Sequence, residues 1–159
     1  MVPTLFLLFL PMVSAQTVPA GWKVVKDSKG LCQIAVPAEW TSFGDNTGAA
    51  IFRDSTTAIA VVTSQPGQEF KPLPASLVKS LEIAKEKLFE NTAQRLFYQD
   101  KTSKGGEDPN AYSASVPAKG GTCSCHLVFV PDIPADTAKK IVMTLGPSAA
   151  EGTVPDGSR

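Results

Sequence analysis

Thr122-Cys123-Ser124-Cys125-His126-Leu127-Val128-Phe129-Val130, followed closely by Pro134-Ala135-Asp136-Thr137-Ala138-Lys139-Lys140-Ile141-Val142-Met143-Thr144-Leu145, is where the fold class is decided. In the first stretch Cys123, Cys125, Leu127 and Phe129 alternate with Ser124, His126 and Val128. A period of two puts the apolar set on one face of a β-strand. In the second stretch Ala138, Ile141, Val142 and Leu145 recur at i, i+3, i+4 and i+7, the single buried stripe of a helix. Gly146-Pro147 then stops that helix. The chain therefore closes with a half-buried strand and an amphipathic helix.

Upstream the same two periods recur, with strands in the majority. Residues 30–37 place Cys32, Ile34 and Val36 on one face, and Pro37 ends the run because proline has no N–H for a ladder. Residues 49–54 and 57–63, parted by Ser55-Thr56, predict a hairpin, broken after Thr63 by Ser64-Gln65-Pro66-Gly67. Residues 92–101 and 111–116 are two further strands, the second ended by Pro117, with a turn at Gly120-Gly121. Between the strands, residues 74–89 predict a first helix. Leu77, Leu81, Ala84 and Leu88 form its stripe, Lys79, Glu82, Lys85 and Glu86 its solvated face, and Pro74 its first turn. About six strands, mostly joined by short turns, and two main helices imply an α+β domain. Its antiparallel sheet is covered by the helices, as in an α/β/α sandwich. Leu81→Ala is expected to destabilise by roughly 2–5 kcal/mol if that stripe is buried.

The chain has 159 residues, enough for one domain with a substantial core. Residues 1–15 read as a secretory signal: Leu5-Phe6-Leu7-Leu8-Phe9-Leu10 is apolar, and Val13-Ser14-Ala15 supplies the small residues of a cleavage site. The expected mature N-terminus is Gln16, the domain spans 16–145, and 146–159 form a disordered tail. The product is then secreted or periplasmic, with no stable membrane insertion. Fifteen Lys+Arg balance fifteen Asp+Glu. A nucleic-acid binder needs a cationic face to replace phosphate counterions, so that partner class is not expected.

Gly30-Leu31, Val36-Pro37-Ala38-Glu39-Trp40 and the terminal helix ending Ile141-Val142-Met143-Thr144-Leu145, taken with the element order, resemble the PsbP-like α/β/α sandwich superfamily. The resemblance covers about residues 21–145. It implies an exported, non-catalytic binding or accessory domain, with an unknown protein or small ligand as partner and no cofactor. It transfers no site residue.

The cysteines carry what chemistry the sequence offers. Cys123, Cys125 and His126 have the ligand types of a zinc or copper(I) site, and they underlie the alternative of a metal-binding or thiol-redox protein. On a regular strand, however, Cys123 and Cys125 point to one face and His126 to the other. Export favours oxidation, and Cys32, Cys123 and Cys125 are the disulfide candidates. Cys123 and Cys125 are a poor pair for each other, whereas Cys32 can pair with either and leave one thiol free. No G-x-S-x-G, H-E-x-x-H, Walker A or G-x-G-x-x-G motif occurs, and no catalytic residue is assigned. Asp45-Asn46-Thr47-Gly48 reads as a turn, and Glu107-Asp108-Pro109-Asn110 as a solvated loop or a weak cation loop. Trp22 and Trp40 are packing residues or a stacking platform.

Overall fold

The structure is a computed structural model that describes residues 17–44, 49–52, 58–100 and 110–148. The expected signal segment, the Asp45–Gly48 turn, the acidic part of the 107–110 loop and the tail from 149 onward lie outside them. In chain order the elements are β1 (Trp22–Lys26), β2 (Cys32–Pro37), β3 (Thr41–Gly44), β4 (Ala49–Phe52), β5 (Ala58–Pro66) and α1 (Ala75–Ser80). A 3-10 turn (Lys85–Lys87) leads into β6 (Leu88–Asn91), β7 (Leu96–Gln99), β8 (Asn110–Ala118), β9 (Gly121–Phe129), α2 (Ala135–Met143) and β10 (Gly146–Pro147).

The fold is α+β, as expected, and every strand pairing described is antiparallel. Seven strands form one sheet in the order β3-β4-β5-β9-β8-β7-β6, and β1-β2-β10 form a second. The small sheet and α2 share one face of the large sheet. Cys32, Ile34 and Val36 of β2 and Ala138, Ile141 and Val142 of α2 pack there with Ala60, Val62, Tyr112, Ala114, Leu127 and Phe129. The alternation read in β2 and β9 is thus the alternation of the core, and the stripe read in α2 is its buried face. Thr144, at the C-terminal end of α2, accepts a hydrogen bond from the Ala35 N–H at 2.7 Å and so ties helix to small sheet.

Four strands go beyond the expected six: β1, β3, β6 and β10. Gly146-Pro147, expected at the start of a tail, instead adds a short edge strand that pairs with Gln33 and Cys32. β5 and β8 run through Pro66 and Pro117 to the ends of a long ladder. Both prolines are exposed at the margin of the sheet, where a missing donor is tolerated. At the start of β9 a Cβ on Gly121 would strike the Gln65 carbonyl, so the close approach of β5 and β9 there requires glycine.

The first helix is a correction. α1 covers only Ala75–Ser80 and buries no residue, with Leu77 46% and Leu81 47% exposed. It stops because the Glu82 N–H donates to the Lys79 carbonyl and the Ile83 N–H to the Val78 carbonyl, a Schellman closure around Glu82 at φ 53°. Ile83 then turns inward, and Leu88 begins β6 in place of a fourth helical turn. Asn91 fastens the result by donating to the Leu73 carbonyl at 2.9 Å and accepting from its N–H at 2.8 Å. The expectation for Leu81→Ala falls with the stripe.

Candidate functional site

β2 and β9 belong to different sheets, and their core faces meet. Cys32 and Cys123, both fully buried, are joined there by a disulfide with a Cα–Cα distance of 5.5 Å. Cys125, one pleat further along the same face, is a free and buried thiol. Burial pushes that thiol up to about 12, so it carries almost no thiolate at neutral pH. His126 lies on the opposite face of β9 and is exposed. The three residues of the metal alternative therefore do not converge: one sulfur is oxidised, one is sealed in the core, and the imidazole is across the sheet. Among the described residues no group of three or more His, Cys, Asp or Glu side chains could hold a metal ion. Trp40 is buried in the core and cannot act as a stacking platform, while Trp22 is half-buried against the same cluster.

Asp27, which the sequence reading passed over, builds the turn above the bridge. Its Oδ1 accepts the N–H groups of Leu31 and Cys32 at 2.8 and 2.9 Å, and its Oδ2 accepts the Ser64 hydroxyl at 2.6 Å. Burial raises its pKa, but the bonds from Ser64 and from backbone N–H groups of Cys32, Leu31 and Lys29 outweigh this and hold it below the usual carboxylate value. The β1–β2 turn is thereby fixed to β5. Together with the β8–β9 turn and the end of β10 it surrounds a cleft of about 600 Å³, with Cys32 in its wall. Lys26, Lys29 and Lys119 lie on its margin, and Ser64 and Ser148 contribute hydroxyls. The signal for this turn was Asp27-Ser28-Lys29-Gly30, an Asx-turn pattern with glycine at the position of positive φ.

The outer face of the large sheet carries a polar row. Register aligns Val61, His126, Ser113 and Tyr98 across β5, β9, β8 and β7. The Ser113 hydroxyl donates to Asp100 Oδ2 at 2.5 Å, and its oxygen lies 2.9 Å from His126 Nδ1, which is itself 3.4 Å from Asp100 Oδ2. The hydrogen bond with Asp100 raises the His126 pKa against the opposing effect of burial. Serine, histidine and aspartate meet here, yet the connectivity is not that of an activated nucleophile. A triad sets serine on one imidazole nitrogen and the carboxylate on the other. Here both partners share Nδ1, and the serine proton is held by the carboxylate.

The structure thus defines an α+β sandwich whose two sheets are stapled by a buried disulfide. No known protein family matches the chain, and no curated protein matches it. A crystal structure at 1.50 Å of a protein from Bacteroides thetaiotaomicron VPI-5482 is similar, with a TM-score of 0.53 and 12% identity. The alignment covers 77% of this chain and 46% of that one, so the chain spans about half the length of that protein. At this identity the likeness concerns the fold alone. Among the described residues no helix is long and apolar enough to cross a membrane.

Proposed function

We propose that the chain is an exported, non-catalytic binding domain of the PsbP-like kind, kept folded by an oxidised bridge. The observation that carries this reading is the Cys32–Cys123 disulfide, which links two sheets inside the core. A buried bridge that closes a long loop fits a compartment where thiols oxidise, and the apolar run at residues 5–10 supplies a route there. Support for PsbP-like kinship comes from the antiparallel α+β arrangement with its closing helix. Support for binding rather than catalysis comes from the polar row, whose serine hydroxyl donates to the Asp100 carboxylate and not to the imidazole. The charge balance disfavours nucleic acid and leaves a protein or a small ligand.

A second reading, a thiol-redox domain, draws on the bridge more directly than any particular ligand does. Its specific support is Cys125, placed two residues from Cys123 on the same face. In that reading the Cys125 thiolate attacks the Cys123 sulfur, a Cys123–Cys125 bond forms, the Cys32–Cys123 bond breaks, and Cys32 leaves as a thiolate that takes up a proton. The raised pKa of Cys125 and the poor geometry of a two-residue spacing oppose it.

Thiol counting on protein secreted by an exporting host separates the two. The binding reading expects a mature N-terminus at Gln16 and one thiol that reacts only after denaturation. It also expects a bridge that survives millimolar reduced glutathione in the folded state. An intact Met1 on the secreted protein overturns the export part. Reversible reduction of the bridge without unfolding transfers the case to the redox reading.

A further inference from the structure

We infer that the cleft above the Cys32–Cys123 bridge binds a small organic anion, a carboxylate borne on an apolar body. This rests on the binding-domain reading and names its ligand class. Three observations support it. First, among the described residues the charged side chains that line the cleft are all lysines, Lys26, Lys29 and Lys119. Asp27 lies behind Ser64, and its oxygens are occupied by the Leu31 and Cys32 N–H groups and the Ser64 hydroxyl. A concave wall with cations of one sign concentrates the field on an anion. Second, the Ser148 hydroxyl beside the cleft is buried and has no hydrogen-bond partner among the described residues. A buried hydroxyl without a partner is uncommon, and rotation of the Ser148 side chain toward the cleft would let a ligand oxygen accept from it. Third, Leu31, Pro66, Ala118 and Pro147 give apolar wall, and Leu31 is 49% exposed despite its size. A volume of about 600 Å³ suits a small molecule with an apolar body and few polar anchors.

The cleft is also pre-shaped. Gly30 and Gly120 hold their turns at φ 67° and 75°, the Asp27 hydrogen bonds fix the first turn to β5, and the bridge fixes β2 to β9. Little ordering is then left for the ligand to bring about.

The test uses the full secreted chain, uniformly labelled with 15N, titrated with hexanoate as probe and hexanamide as its uncharged control. Hexanoate is expected to shift the amides of Gly30, Gly120 and Gly121 saturably, and hexanamide to bind at least roughly ten-fold more weakly, a difference of about 1.4 kcal/mol. Lys29→Gln and Lys119→Gln are each expected to weaken hexanoate several-fold while amide dispersion elsewhere is unchanged, and Lys79→Gln on α1 to leave it unaltered. Equal binding of hexanamide overturns the anion assignment. Absence of saturable shifts at these glycines overturns the site. If the saturable shifts fall instead on Tyr98, Ser113 and His126, the cleft assignment fails and the binding-domain reading stands. If hexanoate binds in the cleft while the bridge cycles reversibly, the stapling part of that reading fails and the cleft assignment stands.

Discussion

At the residue scale Asp27 and His126 titrate in opposite senses, and each sets a pH dependence. The Asp27 carboxylate is held below its ordinary value by hydrogen bonds that the unfolded chain lacks. Its contribution is therefore present above the unfolded pKa, near 3.9, and is lost as pH falls through the folded pKa. Asp27→Asn leaves part of this network unmatched and is expected to lower stability at pH 7 by about 1–3 kcal/mol. It should also flatten the acid limb of a urea-midpoint titration. His126 behaves inversely, because Asp100 raises its pKa. Whatever it contributes is present below the unfolded value, near 6.5, and disappears as pH rises through the folded value. His126→Ala is expected to keep the fold, as judged by circular dichroism, and to remove that pH dependence. Cys125→Ser places a hydroxyl in the sealed core and is expected to destabilise by about 1–3 kcal/mol in a denaturant titration.

At the element scale the two helices respond differently to truncation. Ile141, fully buried on α2, should lose roughly 2–5 kcal/mol on substitution by alanine. Leu81, about half exposed at the end of α1, should change stability by no more than about 1 kcal/mol when replaced in the same way. Urea unfolding of the two variants side by side checks the shortened helix directly, since a long helix with a buried stripe makes the two losses comparable. The close approach at Gly121 offers a complementary measurement. Gly121→Ala forces a Cβ against the Gln65 carbonyl and is expected to separate the ends of β5 and β9. Faster amide exchange at Thr122 and Cys123 would report it.

At the scale of the whole molecule the bridge is the dominant constraint. Its partners are 91 residues apart, and closing a loop of that length removes unfolded-state entropy equivalent to about 4–5 kcal/mol. Cys32→Ala in the oxidised chain is expected to lose most of that amount in chemical denaturation, a loss in the upper part of the range for a core truncation on α2. Loss of less than about 1 kcal/mol would show that the two sheets hold together without the staple.

Local pattern alone was sufficient for β2, β9 and α2, because each carries its period in its own residues and buries the face that period marks. It placed the β4 and β5 strands but not the length of β5, which runs through the expected break at Ser64–Pro66 because β9 pairs with it to the end. It was also sufficient to place Cys123 and Cys125 on one face and His126 on the other, since strand pleating fixes direction independently of neighbours. The apolar spacing of residues 77–88 has the same form as that of α2, yet α1 ends at Ser80. Glu82 occupies a left-handed position that glycine usually marks, so the stop had no visible signature, and β6, which buries none of its residues, is defined by its hairpin pairing with β7 and not by an apolar period of its own. β1 and β10 are short strands whose pairing partner, β2, defines them. The choice of Cys32–Cys123 over Cys32–Cys125 was likewise tertiary, because it depends on the register at which the two sheets stack. The cleft was least legible of all. Its lysines stand at the end of β1 and on two turns and its Ser148 hydroxyl just after β10, and only packing of the small sheet on the large one brings these distant segments to one wall.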